Sequence, residues 1–299
     1  MNIERLLEER RGVVLRSELR AIGVDPIQLR GEVRARVWRA EGRKILIHSS
    51  APADRITDIL VAAAWHPECI VTGPSAALLN PHPAFSDRDF SRGKPMIIAT
   101  RSRPGPCRMV SHPGATYGLL HGVRVADHHT TLIDLLRFLP WDDAAAVAGA
   151  AGQRRLTTGD ALLASMRTLT RAAGAAQLRL LIRAMIKGAE SGTEVDLQQS
   201  LYRAQIKGWV GNPTLQFGDR IYRPDIAFLR EKVALEYDGM LAHSGEAAFH
   251  HDRERMCGMQ FADWQVYPIT KETLYDSAAL AAFLGRLRAK LRERRGDRY

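Results

Sequence analysis

The chain has 299 residues, and its 43 Lys and Arg against 33 Asp and Glu give a formal net charge of +10 at pH 7. With 45% hydrophobic and 25% charged residues it has the composition of a folded protein, which excludes wholesale disorder, collagen and coiled coil, and its length predicts two or three domains of about 100–200 residues. Three widely spaced cysteines, Cys69, Cys107 and Cys257, exclude a disulfide framework and a CxxC metal knuckle. A charged N-terminus without an apolar signal core, and the lack of any apolar run of about 18 residues, predict a cytoplasmic protein that does not enter a membrane.

Residues 1–50 read as two short helices, a longer helix and a hairpin. Ile3, Leu6 and Leu7 make one apolar face that Gly12 ends, and Val14 to Ile22 has helical spacing up to a stop at Gly23. Asp25 and Pro26 supply an N-cap and a first helical position for the third helix. VWRAEGRKILI then holds two apolar runs around Ala40, Glu41 and Gly42, the pattern of a hairpin. In outline this is a winged helix-turn-helix. Such a unit puts its third helix in the major groove, so Arg30, Arg34, Arg36, Arg39, Arg43 and Lys44 are expected on phosphates and Gln28 on a base edge. A small interaction module with a solvated basic face is the bland alternative.

Residues 51–174 read as a mixed α/β connector. Helices are expected over Pro52–Trp65, Ser75–Leu79, Thr130–Leu139, Asp142–Gly152 and Thr158–Arg167, with a short strand at Met96–Ala99. His128 and His129 are adjacent, so their side chains diverge and a shared metal is not expected.

The chemistry is expected in residues 175–299. A helix over Gln177–Gly188 precedes SGTEVDLQQSLYRAQIKGW, where Ser191 and Glu194 are spaced as a capping box and Leu197, Leu201 and Ile206 form the core face. Two strands follow, RIYRPDIAFL and KVALEYDG. Side chains alternate along a strand, so Glu236 and Asp238 share a face, and a turn centred on Arg230 and Glu231 sets Asp225 opposite Glu236. Like charges so placed repel. A divalent cation with oxygen ligands turns that repulsion into attraction, and magnesium typically takes one or two carboxylates plus substrate phosphate. A wet strand face and a simple helix cap are the plain readings of the same residues. The terminal RLRAKLRERRGDRY reads as a solvated helix face or a further phosphate contact.

Two resemblances bear on these patterns. VLRSELRAIGVDPIQLRGEVRARVWRAEGRKILI resembles the N-terminal domain of AbiEi-type antitoxins. The last third of the chain, from SGTE through RPDIAFLREKVALEYDGMLAH to EAAFHHDRERMCGMQFADWQVYPIT, resembles the PD-(D/E)XK nuclease superfamily, in the subgroup related to very-short-patch-repair endonucleases. The second resemblance implies a restriction-endonuclease-like α/β domain with a mixed central sheet, a second helix over Glu246–Ala262 and a closing strand over Trp264–Ile269. It further implies Asp225 and Glu236 as ligands of Mg2+ or Mn2+, and Glu194 as a helix-borne outer carboxylate. Asp238 stands where the general pattern has its lysine, and His243, after Ala242, stands where the subgroup often has paired histidines. Asp252 and Arg253 match the family helix, with Arg253 toward phosphate.

The expectation is therefore an α+β multidomain chain: a winged helix-turn-helix over 1–50, a connector over 51–174, and a nuclease-like domain over 175–299. Its function would be magnesium-dependent hydrolysis of phosphodiester bonds in DNA. RNA is the competing substrate. A non-catalytic regulator of the antitoxin kind, with a degenerate nuclease-like domain and a toxin partner, is the rival from another class, and a homodimer fits either.

Overall fold

In the computed structural model, which describes residues 2–85, 94–99, 106–217, 220–238, 259 and 261–296, the apolar run at Val13–Leu15 is a strand and not the start of a helix. Helix α1 (Ile3–Glu9) leads into this strand, β1 (Val13–Leu15); α2 (Arg16–Ala21), α3 (Pro26–Arg34), β2 (Trp38–Glu41) and β3 (Ile45–His48) follow. The three strands form an antiparallel sheet in the order β1-β3-β2, with Val13 facing Ile47 and Leu15 facing Ile45. Val14 and Leu46 pack with Leu6, Leu19, Leu29 and Trp38. On the other face, Val13 and Ile45 pack with Ile59 and Leu60 of α4 (Arg55–Trp65). A strand buried on both faces reads as a continuous apolar run, and that is why helical spacing misjudged Val14–Ile22.

After α4 come β4 (Ile70–Val71), α5 (Gly73–Leu79), β5 (Met96–Ile98), β6 (Arg108–Val110), β7 (Tyr117–Leu120), β8 (Val123–Ala126) and α6 (His128–Phe138). The strands make a mixed five-stranded sheet in the order β6-β5-β4-β8-β7. Of these strands only Met96–Ala99 was anticipated, because pieces of two to four residues are too short to show a period of two. Behind the sheet, Asp134 is fully buried and satisfied by the Thr72 hydroxyl, His112 Nδ1 at 2.9 Å and Arg137 Nη1 at 2.7 Å. Arg137 also donates to Ala173 O and Ser111 O, which ties residues 166–176 to the unit formed by residues 1–139.

His128 meets His82, not its chain neighbour, with ring centroids 5.2 Å apart. Burial first, and then the His128 charge, lower the His82 pKa from its ordinary 6.5 to about 4. Between those values an unfolded chain binds a proton that the folded one refuses, so stability falls as pH drops through that window. His82→Gln should flatten this part of the stability–pH profile, as measured by urea denaturation at a series of pH values.

The second unit holds residues 140–165 and 177–299. Helices α7 (Trp141–Gln153), α8 (Gly159–Leu169), α9 (Ala175–Ile186) and α10 (Gly192–Arg203) precede a meander of short strands; the end of α8 and the start of α9 count with the first unit. The strands are β9 (Val210–Gly211), β10 (Leu215–Phe217), β11 (Arg220–Tyr222), β12 (Ile226–Phe228), β13 (Val233–Asp238) and β14 (Gln265–Thr270), followed by α11 (Lys271–Tyr275) and α12 (Ser277–Arg295). RIYRPDIAFL, expected as one strand, is two: β11 pairs with β10, and β12 lies in a separate sheet. Pro224 causes the break, since it has no N–H to continue a ladder. The main sheet runs β14-β13-β12-β9 and is mixed, with β14 parallel to β13 and the other pairs antiparallel. Ile226, Phe228, Val233 and Leu235 pack with α10 and α12, while Ala227 and Ala234 pack with Met259 and Trp264.

The basic C-terminal helix is engaged with the protein itself. Arg294 Nη1 donates to Glu231 O at 3.2 Å and Asp263 O at 2.9 Å, Arg288 bonds Ala204 O, and Arg295 Nε bonds the Glu231 carboxylate. Glu231 is buried at the β12–β13 turn, and among the described residues its Oε2 has no hydrogen-bond partner. Arg295→Ala leaves this carboxylate unpaired and should destabilise the chain by about 1–3 kcal/mol in chemical denaturation. Adding Glu231→Gln to that variant should recover part of the loss. Among the described residues, no helix is long and apolar enough to cross a membrane.

Candidate functional site

Two sets of side chains stand out, one in each unit. In the first, α3 opens with Asp25 accepting from Ile27 N at 3.1 Å and Gln28 N at 3.3 Å, with Pro26 in the first turn. Leu29 is buried against the small core, which leaves Ile27, Gln28, Arg30 and Arg34 outward. Gln28 Nε2 donates to Glu32 Oε1 at 2.8 Å, and Trp38 Nε1 donates to Glu32 Oε2 at 2.9 Å, so the amide is anchored on the helix. Arg36 follows α3 with φ +60, Arg39 lies on β2, and Arg43 and Lys44 lie in the turn before β3, all exposed. Arg36, Arg39 and His48 line a groove of about 740 Å³ at the start of α4.

Among the described residues, none of Arg30, Arg34, Arg36, Arg39, Arg43 and Lys44 forms an ion pair. Other cations of this unit do: Arg10 with Glu18, Arg11 with Asp54, and Arg137 with Asp134. The pattern leaves positive charge available on α3 and the hairpin. Ile27 is 69% exposed on the first turn of α3, an apolar group beside Gln28 that the helical spacing did not single out.

In the second unit, the register Ile226↔Leu235, Ala227↔Ala234, Phe228↔Val233 is the one a turn centred on Arg230 and Glu231 produces. It carries Asp225 beside Glu236. The ladder ends at Pro224, and the Asp225 carboxylate takes over the next amide: Oδ2 accepts from Tyr237 N at 2.7 Å. Glu236 alternates with Leu235 and Tyr237, both on the α10 side, and so shares the opposite face with Ala234. Across the parallel pair, Glu236 faces Pro268 of β14, an edge-strand position where a missing N–H is tolerated. Asp225 and Glu236 are both half-buried. Asp238 closes β13 beside Thr270. The expected His243 and Arg253, and most of the expected helix over Glu246–Ala262, lie outside the described residues.

Glu194 is buried near the start of α10. Its amide donates to Ser191 Oγ at 3.1 Å, but the return bond expected to Ser191 N goes to the preceding residue: Glu194 Oε2 accepts from Glu190 N at 2.8 Å. The same oxygen accepts from the Asn212 amide. Gly149 of α7 permits this helix start, since a Cβ there would lie 2.6 Å from Ser191 Cα. Arg223, just before Pro224 and Asp225, bonds the Glu190 carboxylate and donates from Nε to Asn212 O at 3.2 Å. Tyr237, on the other face of β13, has its phenol pKa raised by burial first and then by Glu272 and Asp196, so its hydroxyl stays protonated.

Asp225 and Glu236 offer hard oxygen donors suited to a magnesium-type ion, with one Asp225 oxygen already oriented by a backbone amide. Among the described residues, no three His, Cys, Asp or Glu side chains converge as a ready-made metal cage. A two-carboxylate site completed by substrate phosphate fits that geometry. Sequence reasoning missed Asn212 and Arg223, and the Arg directly before Pro-Asp was the one signal for them. No protein-family model and no curated protein matches the chain.

Proposed function

We propose that the chain is a DNA-binding, magnesium-dependent endonuclease with a winged helix-turn-helix at its N-terminus and a PD-(D/E)XK-like domain at its C-terminus. The observation that carries the reading is the β12–β13 register, which brings Asp225 and Glu236 side by side at the end of an antiparallel pair. The mixed sheet, with a parallel strand beyond β13 and helices on the Ile226 face, supports the nuclease-like fold. The three helices, the β1-β3-β2 sheet and the unpaired cations of α3 and the hairpin support DNA binding. Gln28 and Ile27 are the base-edge candidates, the second for a thymine methyl.

On this reading Asp225 and Glu236 hold the metal. Bound magnesium would supply positive charge to polarise the scissile phosphate and acidify water. Tyr237 N keeps the Asp225 carboxylate oriented. Asp238 or His243 moves the proton of the attacking water. Arg30, Arg34, Arg36, Arg39, Arg43 and Lys44 hold backbone phosphates, and Arg253 is a further phosphate contact by the resemblance. The test is incubation of plasmid, single-stranded DNA and RNA with the purified chain in magnesium, in manganese and in chelator. Metal-dependent nicking supports the enzyme, and intact nucleic acid in every condition removes it.

A second reading has its own observation. Glu194 already accepts two N–H groups on one carboxylate oxygen, which suits a DNA-binding regulator of the antitoxin kind whose nuclease-like domain only binds or dimerises. Promoter binding without cleavage is its expected result.

A further inference from the structure

We propose that Asn212 is a positioning residue for the metal ligand Asp225, pinning the strand that carries it to Glu194 of α10; this rests on the nuclease reading above. Asn212 follows β9 with φ +45, in the left-handed region that Asn tolerates better than most residues. Its backbone N donates to Asp225 O at 3.0 Å, which extends the β9–β12 ladder one step beyond Gly211↔Ile226. The left-handed turn sends the side chain back toward the helix. There Nδ2 donates to Gly188 O at 2.7 Å and to Glu194 Oε2.

An Asn amide has two protons to give, and both are committed. Glu194, 8% exposed, cannot turn without losing this donor or the Glu190 amide on the same oxygen. Gly211 lets the strand come this close, because a Cβ there would lie 2.1 Å from Lys187 O and 2.8 Å from Gln198 Nε2. Arg223 fastens the other side of the same residue. One residue thus grips the Asp225 backbone with its main chain and the Glu194 carboxylate with its side chain.

The test uses the full chain, with Mn2+ titrated calorimetrically and cleavage measured alongside. Asn212→Gly keeps the backbone conformation open and removes the amide. Asn212→Asp keeps the turn preference and sets a carboxylate against Glu194, which serves if the glycine variant fails to fold. Either should weaken Mn2+ binding about 10–100-fold, the usual loss when a group that orients a ligand is removed, and should lower kcat more than it raises KM. If Asn212 acts through Glu194, Asn212→Gly costs nothing further in a Glu194→Ala background, and the two losses are strongly non-additive. Mn2+ affinity within about twofold of wild type, or losses that add, while Asp225→Asn abolishes binding, would make Asn212 only a turn residue and leave the site reading intact. A wild-type chain that neither binds Mn2+ nor cleaves overturns the nuclease reading and this inference together.

Discussion

Asp225→Asn should abolish cleavage and remove the metal-dependent rise in melting temperature, while leaving a chain that still folds and melts cooperatively without metal. The asparagine is chosen because Asp225 Oδ2 accepts from Tyr237 N. An amide oxygen keeps that bond, whereas alanine leaves a half-buried N–H unsatisfied at about 1–3 kcal/mol and confuses loss of metal with loss of fold. A cation that binds only the folded chain stabilises it by mass action, by about 2.7 kcal/mol at a hundredfold excess over Kd. For a unit of this size that corresponds to roughly 5–10 °C. The wild type should show this increment in magnesium or manganese and lose it in chelator. Neither a melting shift nor cleavage at millimolar metal would leave the regulator as the function.

Replacing Arg34, Arg36 and Lys44 together with Ala should lower the slope of log affinity against log salt by nearly three units, at about 0.9 per phosphate contact. Between 50 and 200 mM salt the affinity of the wild type would then fall roughly 40-fold further than that of the variant. The expectation rests on these cations being exposed and unpaired among the described residues, so that phosphates meet no competing carboxylate. The side chains are also at the surface, so the variant should melt with the wild type. An unchanged slope in a DNA titration at four salt concentrations would remove the winged-helix reading. Fluorescence anisotropy on a random duplex suffices, since phosphate contacts carry no sequence information.

Local chemistry is written plainly in this chain. Asp25 and Pro26 start α3, Ser191 caps α10, and the alternation in VALEYD together with the turn at Arg230 and Glu231 places Asp225 beside Glu236. These depend on neighbours within a dozen residues, and periodicity and capping carry such information in order along the sequence. What the tertiary structure alone decides lies further apart. Val13–Leu15 is a strand because Ile45–Ile47 pair along its edge while Leu6 and Leu19 cover one of its faces and α4 the other. Residues 1–139 share one unit with 166–176 because Arg137 reaches Ala173 and Ser111. The C-terminal arginines serve Glu231, Asp263 and Ala204 because α12 packs on that sheet, although their charge alone suits a phosphate equally well. Asn212 gains its place only when the end of β9 and the start of α10 meet. A buried polar group must find its partner wherever the chain brings one within hydrogen-bonding reach. Separation along the sequence says nothing of that distance, so the pairing of Asn212 with Glu194 belongs to the fold and not to any local pattern of residues.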